Sequence, residues 1–263
     1  MEPDPSQTTI WRYMDLPRFV SILSTGKLWF PKAATLRDDP YEGYGKAKVF
    51  EVPSPDEGRK WITHREGAKE SMISGAEMGT NISKMSAQIV EDASEHLYVN
   101  SWCLGESESM AMWQIYGSLG FGVAVKSSES QYQRAARFAV DESYYDVGPV
   151  AYHDDLKSAA AICRDFSKGS IPLIGSSSLR REVLKLGFHK RSCYGYETEW
   201  RAVIYQELRP EIPGVQEAFD LDQLISAVYA GPRAEAFVCD AVFSVMEKFG
   251  LTKPLKKSDL LSR

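Results

Sequence analysis

Apolar positions recur along this chain with two periods, and the switching between them predicts a mixed α+β fold. Ile10 to Met14 alternates as a short strand. Asp15 then stands as a helix N-cap, Pro17 falls in the first turn, and Phe19, Ile22 and Leu23 follow at helical spacing up to a stop at Gly26. Extended chain resumes over Lys27 to Phe30, and ATLRDDPYEG reads as a turn-rich loop. Residues 57 to 96 are polar, helix-compatible and only weakly periodic, which predicts a helical insertion.

Strand alternation returns at LYVNSWCL, Leu97 to Leu104. A helix over SMAMWQIYG, capped by Ser107 or Ser109, follows, and then strands at Gly120 to Lys126 and Val147 to Tyr152. Two helices, about Asp154 to Ser167 and Ser178 to Phe188, flank the linker GSIPLIGSSS. ISAVYAGP predicts another strand, and Ala234 to Phe249 a strongly amphipathic helix with Phe237, Val238, Ala241, Val242, Val245 and Met246 on one stripe. With no internal repeat and no long linker, residues 1 to 263 read as a single α+β domain carrying the 57–96 insertion.

The stretch YGYETEWRAV, residues 195 to 204, carries charge at every second position. As a strand it puts Glu197, Glu199 and Arg201 on one face and Thr198, Trp200, Ala202 and Ile204 on the other. The Trp/Ala/Ile side reads as core. The charged side is either a solvated face with weak ion pairs or the wall of a cleft. In a cleft, carboxylates roughly 7 Å apart on one strand face serve one ligand jointly. One contacts a sugar hydroxyl while the other orients a nucleophile, and Arg201 or Lys190 offsets the mutual rise in pKa.

Composition narrows the classes of function. The chain has 263 residues, 43% hydrophobic and 25% charged, with a net charge of −5, against the basic excess usual for nucleic-acid binders. The polar N-terminus and the lack of a long apolar run argue against a signal peptide or a membrane span. Cys103, Cys163, Cys193 and Cys239 are scattered, as are the four histidines, so no metal site is expected and a reducing cytoplasm suits the thiols.

Other candidates carry two readings each. Arg12, beside Tyr13, is a phosphate-binding guanidinium or an exposed strand arginine. Ser101 with Trp113 and Tyr116 presents a hydroxyl and aromatic faces to a planar ligand, or the rings simply pack at i, i+3. Asp38-Asp39-Pro40 makes a turn, with Glu42 beside Tyr41 as a surface group or a pocket rim.

In order, these pieces resemble family 2971 of the bacterial domains of unknown function. The matching blocks are Phe19-Val-Ser-Ile22-Leu23, Leu28-Trp-Phe30, Asp38-Asp39-Pro40-Tyr-Glu42, Ser101-Trp102-Cys103, Met112-Trp113-Gln-Ile-Tyr116 and Lys190 to Arg201. Asp38 stands for the family's usual Asn, Cys103 for its second Ser and Tyr194 for its Trp. A looser similarity is to the R-S-E class of ADP-ribosyltransferases: an early arginine, a middle serine strand and a late Glu-x-Glu.

That resemblance implies a split, twisted sheet around a cleft with flanking helices. It also implies an enzyme that cleaves the nicotinamide glycosidic bond of nicotinamide adenine dinucleotide (NAD) and passes ADP-ribose to a macromolecule or another acceptor. Arg12 would hold the NAD, Ser101 would steady the strand beside the ribose, Glu199 would stabilise the oxocarbenium-like transition state and Glu197 would orient the acceptor. Tyr13, Trp113, Tyr116, Glu42 and Arg201 would line the site, with no metal. A bacterial toxin or phage-defence effector, restrained by a partner or awaiting a trigger, is the implied setting. Two alternatives use the same residues: an NAD glycohydrolase, with water as acceptor, and a non-catalytic nucleotide-binding or sensor module.

Overall fold

The computed structural model describes residues 8–36, 93–138, 144–154, 177–206 and 212–261. Its strands are β1 (Thr9–Asp15), β2 (Lys27–Pro31), β3 (Leu97–Leu104), β4 (Gly122–Ser128), β5 (Tyr145–Pro149), β6 (Ala151–His153), β7 (His189–Arg191), β8 (Glu199–Tyr205), β9 (Gly214–Ala218), β10 (Ala227–Ala230) and β11 (Leu255–Lys257). Seven of them form the main sheet in the order β11-β10-β4-β1-β3-β8-β5. Every pairing in it is antiparallel except β10 with β11. β2 pairs with β9 and β6 with β7 as separate ribbons. The fold class is mixed α+β, as expected, with helices against a large, mostly antiparallel sheet.

The local signals at the start of the chain work as read. Asp15 caps the helix Leu16–Thr25 by accepting from the Arg18 N–H at 2.8 Å, and Gly26 ends it in the left-handed conformation at φ 65°. Ser109 is the cap of the next helical segment, Met110–Met112. That segment widens into a π-helical turn over Trp113–Gly117, a departure from the regular helix expected there. A Cβ on Gly122 would come within 1.5 Å of the Gly117 carbonyl oxygen, so the return into β4 requires glycine.

Three expectations are corrected. The strand placed at 195–204 begins only at Glu199, because Ser192–Glu197 winds as a 3₁₀ turn and Thr198 closes it at φ 45°. The strand placed at 147–152 is two strands, with Val150 handing the chain from β8 to β7 through its N–H bond to the Glu199 carbonyl at 2.9 Å. On the helix Ala236–Lys248 the buried stripe is Val238, Val242 and Met246, while Phe237 faces outward near Phe121. Residues 57–92 of the expected insertion and the helix expected at 154–167 lie outside the described residues beyond Asp154.

The two faces of the sheet differ. One carries Ile10, Met14, Val125, Trp102, Trp200 and Ala202, covered by Phe19 and Leu23, Tyr132 and Ala135, and Val242 and Met246 from three helices. The other face holds two smaller apolar clusters. Trp11, Tyr13, Cys103 and Ala124 pack on Met112 and Trp113. Leu97, Val99 and Val203 pack on Val183, Leu184 and Leu186. Between these clusters on that second face, β8 presents Glu199 and Arg201. Among the described residues no helix is long and apolar enough to cross a membrane.

Candidate functional site

The register of the central strands builds the site. Cys103 lies opposite Glu199 and Ser101 opposite Arg201, so these four share the second face, since directly opposed residues of an antiparallel pair point the same way. Glu197 is not on the strand. The 3₁₀ turn brings it back over the same face, and a lysine joins the two carboxylates. Lys190 Nζ donates to Glu199 Oε1 at 3.1 Å and also to Glu197 Oε2. Arg201 Nε donates to Glu199 Oε2, and its Nη1 donates to the Gly187 carbonyl at 2.9 Å.

The backbone is pinned as well. The Glu199 N–H donates to the Tyr152 hydroxyl at 2.8 Å. Tyr152 and Lys190 are neighbours across the β6–β7 ribbon, so that small ribbon delivers both groups to the carboxylates. On the open side, the Tyr116 hydroxyl donates to Glu197 Oε1 at 2.9 Å while the residue remains 41% exposed.

Burial settles the first ambiguity. Glu197 is 4% exposed, Glu199 7% and Arg201 1%, so the alternating charges are not a solvated face. Charges removed from water this far must be paired, and these are.

The two carboxylates have opposite acid–base character. Burial works to raise both pKa values. At Glu199 the ion pairs with Arg201 and Lys190 overcome it and hold the carboxyl well below the ordinary range. At Glu197 burial wins, reinforced by hydrogen bonding with Glu199 and opposed by Lys190, so its proton affinity is raised. An asymmetric pair of this kind separates a fixed anion from a group able to take and release a proton. Burial and the Glu197 charge push the Tyr116 hydroxyl up too, keeping it a donor.

The other expected residues are only partly brought together. Ser101 sits beside Arg201 on the site face, and Tyr116 stands at the rim. Tyr13 and Trp113 lie on the same face but are packed edge to face at 5.1 Å, with Trp113 fully buried. Their polar atoms are used locally: the Ser109 N–H donates to the Tyr13 hydroxyl at 2.7 Å, and Trp113 Nε1 donates to Glu108 at 2.9 Å. They are core supports, a correction to their expected role as open aromatic walls.

Arg12 is the larger correction. Opposite Val125 and over the Trp102 ring, it points to the first face, with the sheet between it and Glu199. It cannot line one pocket with that carboxylate. Glu42, with Asp38 and Asp39, lies outside the described residues.

Lys190 and Tyr152 complete the site, Lys190 expected only as a charge offsetting the carboxylates and Tyr152 not expected at all. Lys190 had a trace in the sequence, as the first residue of the Lys190-to-Arg201 block. Tyr152 had none, since its partner is a backbone N–H set by tertiary packing.

No family model matches the sequence, and no curated protein does, so the resemblance to family 2971 is carried by its quoted residues alone. Among solved structures, DarT of Thermus sp. 2.9 in complex with NAD+ aligns at a TM-score of 0.39 with 11% identity, covering 98% of this chain and 98% of that chain. The same protein in complex with carba-NAD+ aligns at 0.37 with 12% identity, covering 97% and 96%. A likeness at this level assigns no role to any residue here.

Proposed function

We propose that the chain is an ADP-ribosyltransferase-like enzyme that cleaves the nicotinamide glycosidic bond of NAD at the Glu197–Glu199 face. The observation that carries this is the buried carboxylate pair bridged by Lys190, with the hydroxyl of the half-exposed Tyr116 on Glu197. A buried charge network contributes little net stability, so its presence on a sheet face points to chemistry.

In the reaction the ribose C1′–N1 bond breaks and its electron pair leaves with nicotinamide, neutralising the pyridinium. A bond forms between C1′ and an acceptor oxygen or nitrogen, and the acceptor proton passes to the Glu197 carboxylate. Raised proton affinity makes Glu197 the better base. Glu199 supplies negative charge to the oxocarbenium-like transition state once the diphosphate of the dinucleotide draws Lys190 away from its Oε1. Ser101 flanks this position on the neighbouring strand. With water as acceptor the same step is NAD hydrolysis. A role as a bacterial toxin or defence effector under a partner's control belongs to the same proposal.

One observation favours a second reading, a non-catalytic nucleotide-binding module. Both Glu199 oxygens are already held by cations, Oε1 by Lys190 and Oε2 by Arg201. Incubating the purified chain with NAD and following free nicotinamide by chromatography separates the two. Release by the native protein that Glu197→Gln and Glu199→Gln abolish supports the enzyme. NAD binding without nicotinamide, even with cell extract as acceptor, supports the module.

A further inference from the structure

The β6–β7 ribbon that delivers Tyr152 and Lys190 to the carboxylates has a second face, and two histidines meet on it. In this parallel pair Tyr152 lies opposite Lys190, while His153 and His189 stand on the alternate side. His153 Nε2 and His189 Nδ1 are 2.8 Å apart, within hydrogen-bond distance, and both residues are half-buried. At three residues each, the strands are too short to hold as a ribbon unaided. The ribbon is tied to its surroundings by the Val150 N–H on the Glu199 carbonyl at 2.9 Å and the Ala151 N–H on the Phe188 carbonyl at 2.8 Å. The Glu199 N–H in turn donates to the Tyr152 hydroxyl, so a clasp across these two strands bears directly on the carboxylates.

A hydrogen bond between two imidazoles needs one proton between the facing nitrogens. Two neutral rings supply it, and so does one imidazolium facing a neutral ring. Two imidazolium rings set N–H against N–H and break the bond. The surroundings resist that last proton. Arg201 on β8 donates to the Gly187 carbonyl just before β7, and Lys190 and Arg191 follow His189 on β7 itself. Tyr152 and Asp154 flank His153, and the adjoining turn Ser192–Glu197 adds Cys193, Tyr194, Tyr196 and Glu197. Of the acidic groups here, Glu197 is engaged by Lys190, Glu199 by Lys190 and Arg201, and Asp154 is exposed. Burial, then the facing His153, then the Arg201 charge hold the His189 pKa down, at about 4.

We propose that the His153–His189 pair is a positioning clasp for the carboxylate site, holding the β6–β7 ribbon, and with it Tyr152 and Lys190, against Glu199 and Glu197, and opening when both rings are protonated. His189 binds a proton less readily in the folded chain than in the unfolded one. The clasp is therefore fully present above about pH 6.5 and is lost as pH falls toward the folded value. Glu197 titrates with the opposite sign, and Glu199 contributes only below about pH 4.3, so neither loosens the ribbon in that window. The clasp belongs to the fold; only its effect on turnover rests on the NAD-cleaving reading above.

The test is amide hydrogen exchange of the full chain by NMR from about pH 7.5 to about pH 4.5, followed at the Glu199 N–H, whose acceptor is the Tyr152 hydroxyl. Rates are normalised to the intrinsic exchange rate at each pH, which leaves protection alone. The expected result is steady protection above about pH 6.5 and a fall of up to about tenfold per pH unit below it, the slope of one extra proton in the open form. In His153→Gln the side-chain amide accepts from or donates to His189 in either protonation state. That variant is expected to keep the protection at neutral pH within a few-fold and to flatten the slope. Should it fail to fold, His189→Asn makes the same change from the other ring. A flat profile in the native chain overturns the proposal, as does a slope unchanged in the histidine variants. A slope lost in Glu197→Gln and kept in the histidine variants assigns the titration to the carboxylates and overturns it too. Nicotinamide release is followed separately: its absence at every pH counts against NAD cleavage, while the exchange profile alone decides the clasp.

Discussion

Two arginines, Arg12 on β1 and Arg201 on β8, point to opposite faces of one sheet and meet opposite fates. Arg201 is 1% exposed and paired, with Nε on Glu199 and Nη1 on the Gly187 carbonyl. Arg12 has an aromatic face and an orphaned Nη1. The same residue type is thus an internal strut on one side and an open valence on the other. Burial and partner chemistry both distinguish them: Arg201 is sealed and paired through Nε and Nη1, whereas Arg12 is half-buried and its Nη1 has no hydrogen-bond partner among the described residues.

The sharpest way to break this contrast is to delete each cation. Arg201→Met removes one of the two cations that hold the buried Glu199 carboxylate and is expected to cost about 3–5 kcal/mol in urea denaturation. Arg12→Met removes an unpaired charge and is expected to stay within about 1 kcal/mol of the native chain, or to stabilise it. Equal losses in the two variants would erase the difference between the faces.

Activity sharpens it next. If the carboxylate face is catalytic, Glu199→Gln is expected to lower nicotinamide release about 10²–10³-fold, the usual cost of one preorganised electrostatic contact. Arg12→Met, on the other face, is expected to leave the rate within a few-fold. A rate that collapses in Arg12→Met would join the two faces into one site.

Acid titration reports the same network with a definite sign. The Glu199 pKa in the folded chain lies below its unfolded value of about 4.3, so its contribution is present above that value and is lost as pH falls through the folded pKa. Glu197 has the opposite sign: its folded pKa is raised, so its contribution is full below about 4.3 and is lost as pH rises through the folded value. Denaturation midpoints from neutral pH downward should therefore fall less steeply for Glu199→Gln than for the native chain. Catalysis that needs ionised Glu197 should decline with acidification at a pH above the ordinary glutamate range.

The smallest expected effect is at the rim. Tyr116→Phe removes the donor to Glu197 Oε1 and is expected to cost about 0.5–1.5 kcal/mol in the transition state, read from kcat/KM, with the fold intact. It also takes away a hydrogen bond that favours the ionised carboxylate, so the acid limb of the rate profile should move upward.

How much of this was legible follows from the range of the forces involved. The Asp15 cap, the Gly26 stop and the span Leu97–Leu104 rest on bonds within a few residues and were readable directly. The break at Thr198 was not, because charge at every second position also fits a turn that returns over a strand. The notable case is β1. Alternation alone tells that Arg12 points away from Trp11 and Tyr13. Whether Glu199 lies on the Arg12 side or the Trp11 side depends on β3, whose Cys103 pairs with Trp11 and with Glu199 at once.

The sequence by itself therefore determined the alternation along β1 and β3, the ends of the first helix, the mixed fold class and the residue types available for chemistry. Tertiary structure alone decided the phase between strands, and with it the pairing of Lys190 with both glutamates and the separation of Arg12 from them. The physical reason is that side-chain period is a property of the local backbone, while register between strands distant in the chain is chosen by the packing of both faces together.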